Sequence, residues 1–149
     1  MVVYNENYAE IVGLCLGDGS LVRRLSGKNK GQLRFQLKGD INEDKDHYDQ
    51  FVIPLFNNYF GKISIVRFES KNSYYGIASE RKNLCLELNS LGIPIGKKGE
   101  LQIPEWVKKD VKYNIAFLRG YFDTDGSIFC GKFNKSDKYH KKIRIDFIS

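Results

Sequence analysis

The chain is poor in the residues that build metal cages and disulfide frameworks. It has three cysteines, two histidines and one methionine in 149 residues. Cys15, Cys85 and Cys130 are odd in number, widely spaced and set in apolar segments. There is no C-x-x-C pair, and neither His47 nor His140 is near a cysteine. This argues against a structural zinc site and reads as small buried hydrophobes in a reducing compartment. No apolar run approaches the roughly 18 to 20 residues of a membrane span, and MVVYNENY carries no basic segment leading into an apolar one. The expectation is an intracellular protein, in cytoplasm or organelle matrix, with no membrane partner. What is present excludes disorder: 42% hydrophobic and 13% aromatic residues, on a length that buries a core.

The formal net charge of +6 is unevenly spread. Residues 20–40 and 127–149 together carry +9, and the remaining 105 residues carry −3. Both basic segments follow the same motif. IVGLCLGDGSLV from Ile11 and LRGYFDTDGSIF from Leu118 share G-x4-D-G-S at an offset of 107. Farther on, LRFQLK from Leu33 resembles IRIDFI from Ile143 at an offset of 110. A repeat of this kind is weighed before any local reading.

Periodicity predicts the elements. Residues 8–18 read as a helix with Ile11, Leu14 and Cys15 on one face. Residues 20–25 and 32–38 read as a hairpin, with Leu21 and Leu25 inward on its first strand. The second strand alternates Leu33, Phe35 and Leu37 against Arg34, Gln36 and Lys38. Residues 43–60 read as a helix with a Phe51, Leu55, Tyr59 stripe, distorted by Pro54. A second hairpin follows at 62–68 and 73–79, then a helix at 80–91 with Ser79 as N-cap, Leu84, Leu88 and Leu91 buried and Gly92 closing it. Residues 114–125 restart the first pattern.

The repeated motif has a physical reading. Gly13 and Gly17 lie four apart on one helix face, matched by Gly120 and Thr124, and small residues at that spacing let two helix backbones approach. If the two copies pack together, Asp18 and Asp125 end side by side at two helix C-termini. Those ends carry partial negative charge, so the spot suits a hard divalent cation, to which carbonyls of Gly17 and Thr124 would add ligands.

The two stretches resemble the LAGLIDADG motifs of the homing-endonuclease family. FLRGYFDTDGSI is the nearer match, and LGIPIGKKGELQIPEW from Leu91 resembles the connector of double-motif members. The resemblance implies an α+β fold: an αββαββα unit with an antiparallel β saddle, plus the first αββ of a second, pseudo-twofold-related unit. The units are residues 8–92 and 114–149, joined by a connector at 93–113. It implies site-specific cleavage of double-stranded DNA with Mg²⁺ or another divalent cation, with Asp18 and Asp125 each serving one strand. A connector lysine, Lys97 or Lys98, would assist. Asp123 fills a further acidic slot, but its partner position is Leu16, so a structural role is expected.

Strand alternation nominates the DNA surface: Arg24, Arg34, Gln36 and Lys38 in the first copy and Arg144 and Asp146 in the second; Lys132, whose parity is ambiguous, and Lys142 join them, with Arg67 and Tyr75 from the second hairpin. Arg and Gln suit guanine and adenine edges. Loop lysines such as Lys28, Lys30, Lys135, Lys138 and Lys141 suit phosphate. The second copy lacks counterparts of the middle helix, second hairpin and last helix, so a truncated frame or fragment is expected, completed by dimerisation or a complementing piece. The alternatives are a non-cleaving nucleic-acid-binding module, such as a maturase acting on intron RNA, or an inactive endonuclease fragment.

Overall fold

The first helix, α1 (Glu6–Gly17), begins where the Asn5 side chain accepts the Tyr8 N–H at 3.0 Å. In the computed structural model the described residues are 3–71, 73–131 and 142–147, with the backbone alone at 125, 128–131, 142–144 and 147. After α1 the order is β1 (Gly19–Arg23), β2 (Leu33–Asp40), α2 (Lys45–His47), a π-helical turn (Tyr48–Val52), α3 (Ile53–Phe60), β3 (Ser64–Phe68), β4 (Tyr74–Ser79) and α4 (Lys82–Leu91). The connector contributes α5 (Glu105–Lys108), and α6 (Val111–Asp125), β5 (Gly126–Gly131) and β6 (Lys142–Phe147) follow.

The fold is α+β, with antiparallel strands ordered β1-β2-β4-β3 in one sheet and β5-β6 in another. The alternation read on β2 is present: Leu33, Phe35 and Leu37 are buried while Arg34, Gln36 and Lys38 are half-buried on the other face. The register carries the repeat. Gly19 pairs with Leu37 and Val22 with Arg34 in the first sheet; Gly126 pairs with Phe147 and Phe129 with Arg144 in the second. Offsets of 107 and 110 convert one set of pairs into the other, so the three extra residues fall between β5 and β6.

Three local expectations are corrected. Strand β1 ends at Arg23, so Leu25 does not turn inward and stays 85% exposed. The helix nominated at 43–60 is interrupted by the π turn, in which the Ile53 N–H reaches back to the Tyr48 carbonyl. Pro54 comes next with no N–H of its own, and the wider turn absorbs the mismatch. The added width shifts the buried stripe to Tyr48, Val52, Phe56 and Phe60, with Leu55 beside them, leaving Phe51 and Tyr59 half-buried. Ser79 is not the N-cap of α4. Arg81 holds that position, and the Ser79 hydroxyl accepts the Arg81 N–H at 3.2 Å. Leu84, Leu88 and Leu91 are buried, and Gly92 closes α4 at φ 115°, a left-handed conformation that glycine adopts at no steric cost.

Helices α1 and α6 pack along each other at the centre. A Cβ on Gly13 would overlap the Phe117 carbonyl oxygen and lie 2.7 Å from the Tyr121 nitrogen; one on Gly120 would overlap the Glu10 carbonyl. Only a hydrogen fits at these points. The interface also holds an ion pair that the motif reading did not show. Glu10 is 2% exposed and accepts from Arg119 Nε at 2.7 Å and Nη2 at 2.6 Å. Arg119 keeps 54% of its side chain in solvent. The two halves are therefore unequal. Arg119→Ala strands a buried carboxylate and is expected to cost about 3 kcal/mol. Glu10→Gln leaves a guanidinium that water can reach and should cost about 1 kcal/mol. Urea unfolding of the two variants measures the difference; equal costs would contradict this burial asymmetry.

Among the described residues no helix is long and apolar enough to cross a membrane.

Candidate active site and nucleic-acid interface

The C-terminal ends of α1 and α6 meet. A Cβ on Gly17 would overlap the Thr124 hydroxyl oxygen and lie 2.7 Å from the Thr124 Cβ, so the two helices touch one residue before Asp18 and Asp125. Asp18 is exposed and caps α1, its N–H donating to the Leu14 carbonyl at 3.1 Å. Asp125 occupies the matching place at the end of α6, and its side chain lies outside the described residues. Burial, and then the negative charges of Asp18 and Asp44, push the Tyr48 hydroxyl well above the usual phenol range.

The connector brings a cation to the same place. Lys98 Nζ donates to the carbonyls of Gly17 (2.5 Å), Leu16 (3.0 Å) and Cys15 (3.4 Å). Those carbonyls have no intrahelical donor, and the ammonium offsets the negative end of α1. Lys97, its neighbour, is exposed. Lys98, Gly17 and Tyr121 line a cleft of about 490 Å³ between the connector and the two helices.

This geometry corrects one of the nominated metal ligands. The Gly17 carbonyl is occupied by the Lys98 ammonium, which would repel a metal cation. Among the described residues no group of three or more His, Cys, Asp or Glu side chains is placed to hold an ion. The nominated donors that remain are the Asp18 carboxylate, Asp125 at the matching helix end and the Thr124 carbonyl. That fits a hard ion such as Mg²⁺, which commonly takes one or two protein carboxylates and completes its shell with water and substrate phosphate.

Asp123, nominated for a structural role, lies 3.7 Å from His47 Nε2 through its Oδ2. Burial raises its carboxyl, and the nearby His47 opposes that. His47 was not singled out by sequence; its partner lies on a helix far along the chain. Cys15 and Cys85 are free and buried, and burial pushes both thiols up, so neither is poised as a nucleophile.

The outer face of the four-stranded sheet carries the other nominated residues. Arg34, Gln36 and Lys38 project from β2, and Lys38 Nζ sits 4.4 Å from the Tyr74 ring centre. Arg24, just past β1, and Arg34 both approach Glu80. Tyr75 is a correction. It pairs with Gly39, in the register of Leu37 and Ile77, which puts it on the core face at 5% exposure with its hydroxyl donating to Asp49. Tyr74 is the outer-face tyrosine. Arg67 pairs with Tyr75 and so shares that inner register; it sits exposed at the sheet edge, ion-paired to Glu69. The parity of β4 finds both once its start at Tyr74 is known. In β6 Asp146 is half-buried opposite Ser127, while the side chains of Lys142 and Arg144 lie outside the described residues, as do Lys132, Lys135, Lys138 and Lys141.

Solved structures share this fold. Mesophilic variants of the homing endonuclease I-DmoI superpose with a TM-score of 0.60 at 20% identity, over 82% of this chain and 59% of theirs. I-DmoI in complex with DNA and Ca gives 0.57 at 18% identity, over 86% and 64%. The fold is that of the LAGLIDADG homing endonucleases. Another LAGLIDADG endonuclease, the K262A mutant of I-SmaMI, gives 0.51 at 17% identity over 95% of this chain and 66% of its own. No family model matches the chain. Among curated proteins it is 33% identical over 134 residues to the DNA-directed RNA polymerase subunit Rpo1N of Methanocaldococcus jannaschii, and 29% identical over 130 residues to that organism's tRNA-splicing ligase RtcB. It spans 9% and 13% of those two proteins, and 48% of an uncharacterized protein of the same organism to which it is 25% identical.

Proposed function

We propose that this chain is a site-specific DNA endonuclease module of the homing type, hydrolysing one phosphodiester of each strand of double-stranded DNA. Its two units would be residues 8–92 and 114–149, joined by the connector. The observation that carries this reading is the contact of Gly17 with Thr124, which brings two acid-bearing helix ends together beneath a sheet with a basic outer face. Crystals of the LAGLIDADG relative I-DmoI containing DNA together with Ca or Mn support the polymer and the need for a divalent ion. Matches to small portions of an RNA polymerase subunit and an RNA ligase support a mobile module carried inside unrelated hosts, as intron- or intein-encoded elements are.

In this reading the chain's own groups do the following. Asp18 and Asp125 supply the carboxylates that would hold Mg²⁺. The ion, when bound, polarises the phosphate and lowers the pKa of water. Lys98 fixes the end of α1 and sets positive charge beside the position where anionic charge develops. The β2 side chains read the major groove. Incubating the protein with a pool of randomised duplexes, with and without Mg²⁺, tests it; cutting that is independent of metal, or no cutting of any duplex, sinks it. Lys98→Met is expected to lower cleavage about 100-fold, while Lys97→Met should leave it within about twofold, because an exposed lysine holds no fixed position. Equal losses in the two would remove the role given to Lys98.

A second reading is favoured by exposure in the second copy. Leu118 and Ile145 are 47% and 58% exposed, whereas their first-copy counterparts Ile11 and Phe35 are both at 0%. The module would then bind DNA and acquire cleavage only when a second copy or another polypeptide covers that face. Cleavage that rises with the square of protein concentration, with binding that does not, would mark this case.

A further inference from the structure

An acid, Glu80, stands beside the arginines of the basic face. The pairing of β2 with β4 ends at Phe35 with Ser79, and Glu80 follows directly after β4, beside Arg34. Arg24 Nη2 donates to Glu80 Oε1, and Arg34 Nε lies 4.0 Å from the same oxygen. The Gln36 amide, with its oxygen turned toward Arg34, accepts from Arg34 Nη2 at 2.5 Å and Nε at 2.9 Å. Arg24 Nε is buried with no hydrogen-bond partner among the described groups. Both guanidiniums are thus tied to the sheet rather than extended into solvent. About a third of each of the three charged side chains is exposed: 33% for Arg24, 35% for Glu80 and 36% for Arg34.

We propose that Glu80 is a positioning residue that sets base specificity: it holds Arg24 and Arg34 away from the DNA backbone and presents Arg34 to the edge of a guanine. This rests on the DNA-binding reading above. An unrestrained arginine on this face would bind phosphate, which carries no sequence information. A carboxylate between the two repels phosphate oxygens and fixes the guanidinium planes. The contacts described for Arg34 use Nε and Nη2 on the Gln36 side. Its terminal Nη1–Nη2 edge remains for the paired acceptors N7 and O6 of guanine.

The test is selection of random duplexes on the wild-type chain and on Glu80→Gln, with binding measured across a range of salt. Wild type is expected to enrich guanine at a defined position. Glu80→Gln should lower that preference about tenfold. Its log-affinity against log-salt slope should steepen by about 1 to 2 as the arginines move to phosphates. A side chain acting only in folding would not steepen that slope. Glu80→Asp, which keeps the charge, should restore most of the shallower slope. Arg34→Lys should lose the guanine preference with Glu80 intact. Unchanged preference and slope in Glu80→Gln would overturn the role of Glu80 while leaving DNA binding in place. Failure of the wild type to bind any duplex would overturn both.

Discussion

Asp18→Asn is expected to reduce Mg²⁺-dependent cleavage by at least about 100-fold, the scale of losing one fixed charge-stabilising group at a reaction centre, while DNA affinity changes little. The substitution keeps shape and exposure and removes one negative charge from the end of α1. An acid there is unfavourable to the helix, so the same variant should gain about 0.5 kcal/mol of stability. A loss of activity paired with a gain in stability separates a functional acid from a structural one. Lys98 sharpens the comparison. Its ammonium compensates the α1 carbonyls, so Lys98→Met should lower the melting point of both the wild type and Asp18→Asn. Gel-based cleavage, duplex binding and thermal melting of the four proteins in that cycle measure all three effects. Metal-dependent cutting by Asp18→Asn at the wild-type rate would end the assignment of this acid.

The largest structural effect is expected at the helix contact. Gly13→Val places a branched side chain where even a Cβ overlaps the Phe117 carbonyl oxygen. The obstructing atoms are backbone, so neither helix can yield locally and α1 must move away from α6. Overpacking of this kind costs about 3 kcal/mol, or a drop in Tm of about 6 to 12 °C for a chain of this size. Separation also parts the helix ends that carry Asp18 and Asp125, so cleavage should fall further than stability alone explains. Gly99→Ala is the control. A Cβ there meets nothing within 4 Å, and the melting point should hold. A Gly13→Val protein that melts with the wild type would show that the helices are not in contact at this point.

Much of the architecture was legible without coordinates. The offsets of 107 and 110 between the two copies reappear as matching pairings, Gly19 with Leu37 and Gly126 with Phe147. Periods of 2 and 3.6 residues are local and survive in any context, so the alternation of β2 and the apolar face of α4 could be read directly. Boundaries were less legible, because hydrogen bonding ends a strand and hydropathy does not mark where. The misplacement of Tyr75 came from this: the face of β4 depends on its pairing with β2, and a shift of one residue exchanges the two faces.

By itself the amino-acid sequence determined the repeat, the α+β class, the clustering of positive charge on hairpins and the acid at the end of each motif helix. Only the tertiary structure brought Lys98, and not Lys97, to the end of α1, put its ammonium on the Gly17 carbonyl, paired Glu10 with Arg119 and set Glu80 between two arginines. The reason is separation along the chain. Arg24 and Glu80 are 56 residues apart, and Lys98 lies 81 residues from Gly17. Contacts over such distances have no period in sequence, and they exist only once the strands have paired and the two motif helices have closed on each other.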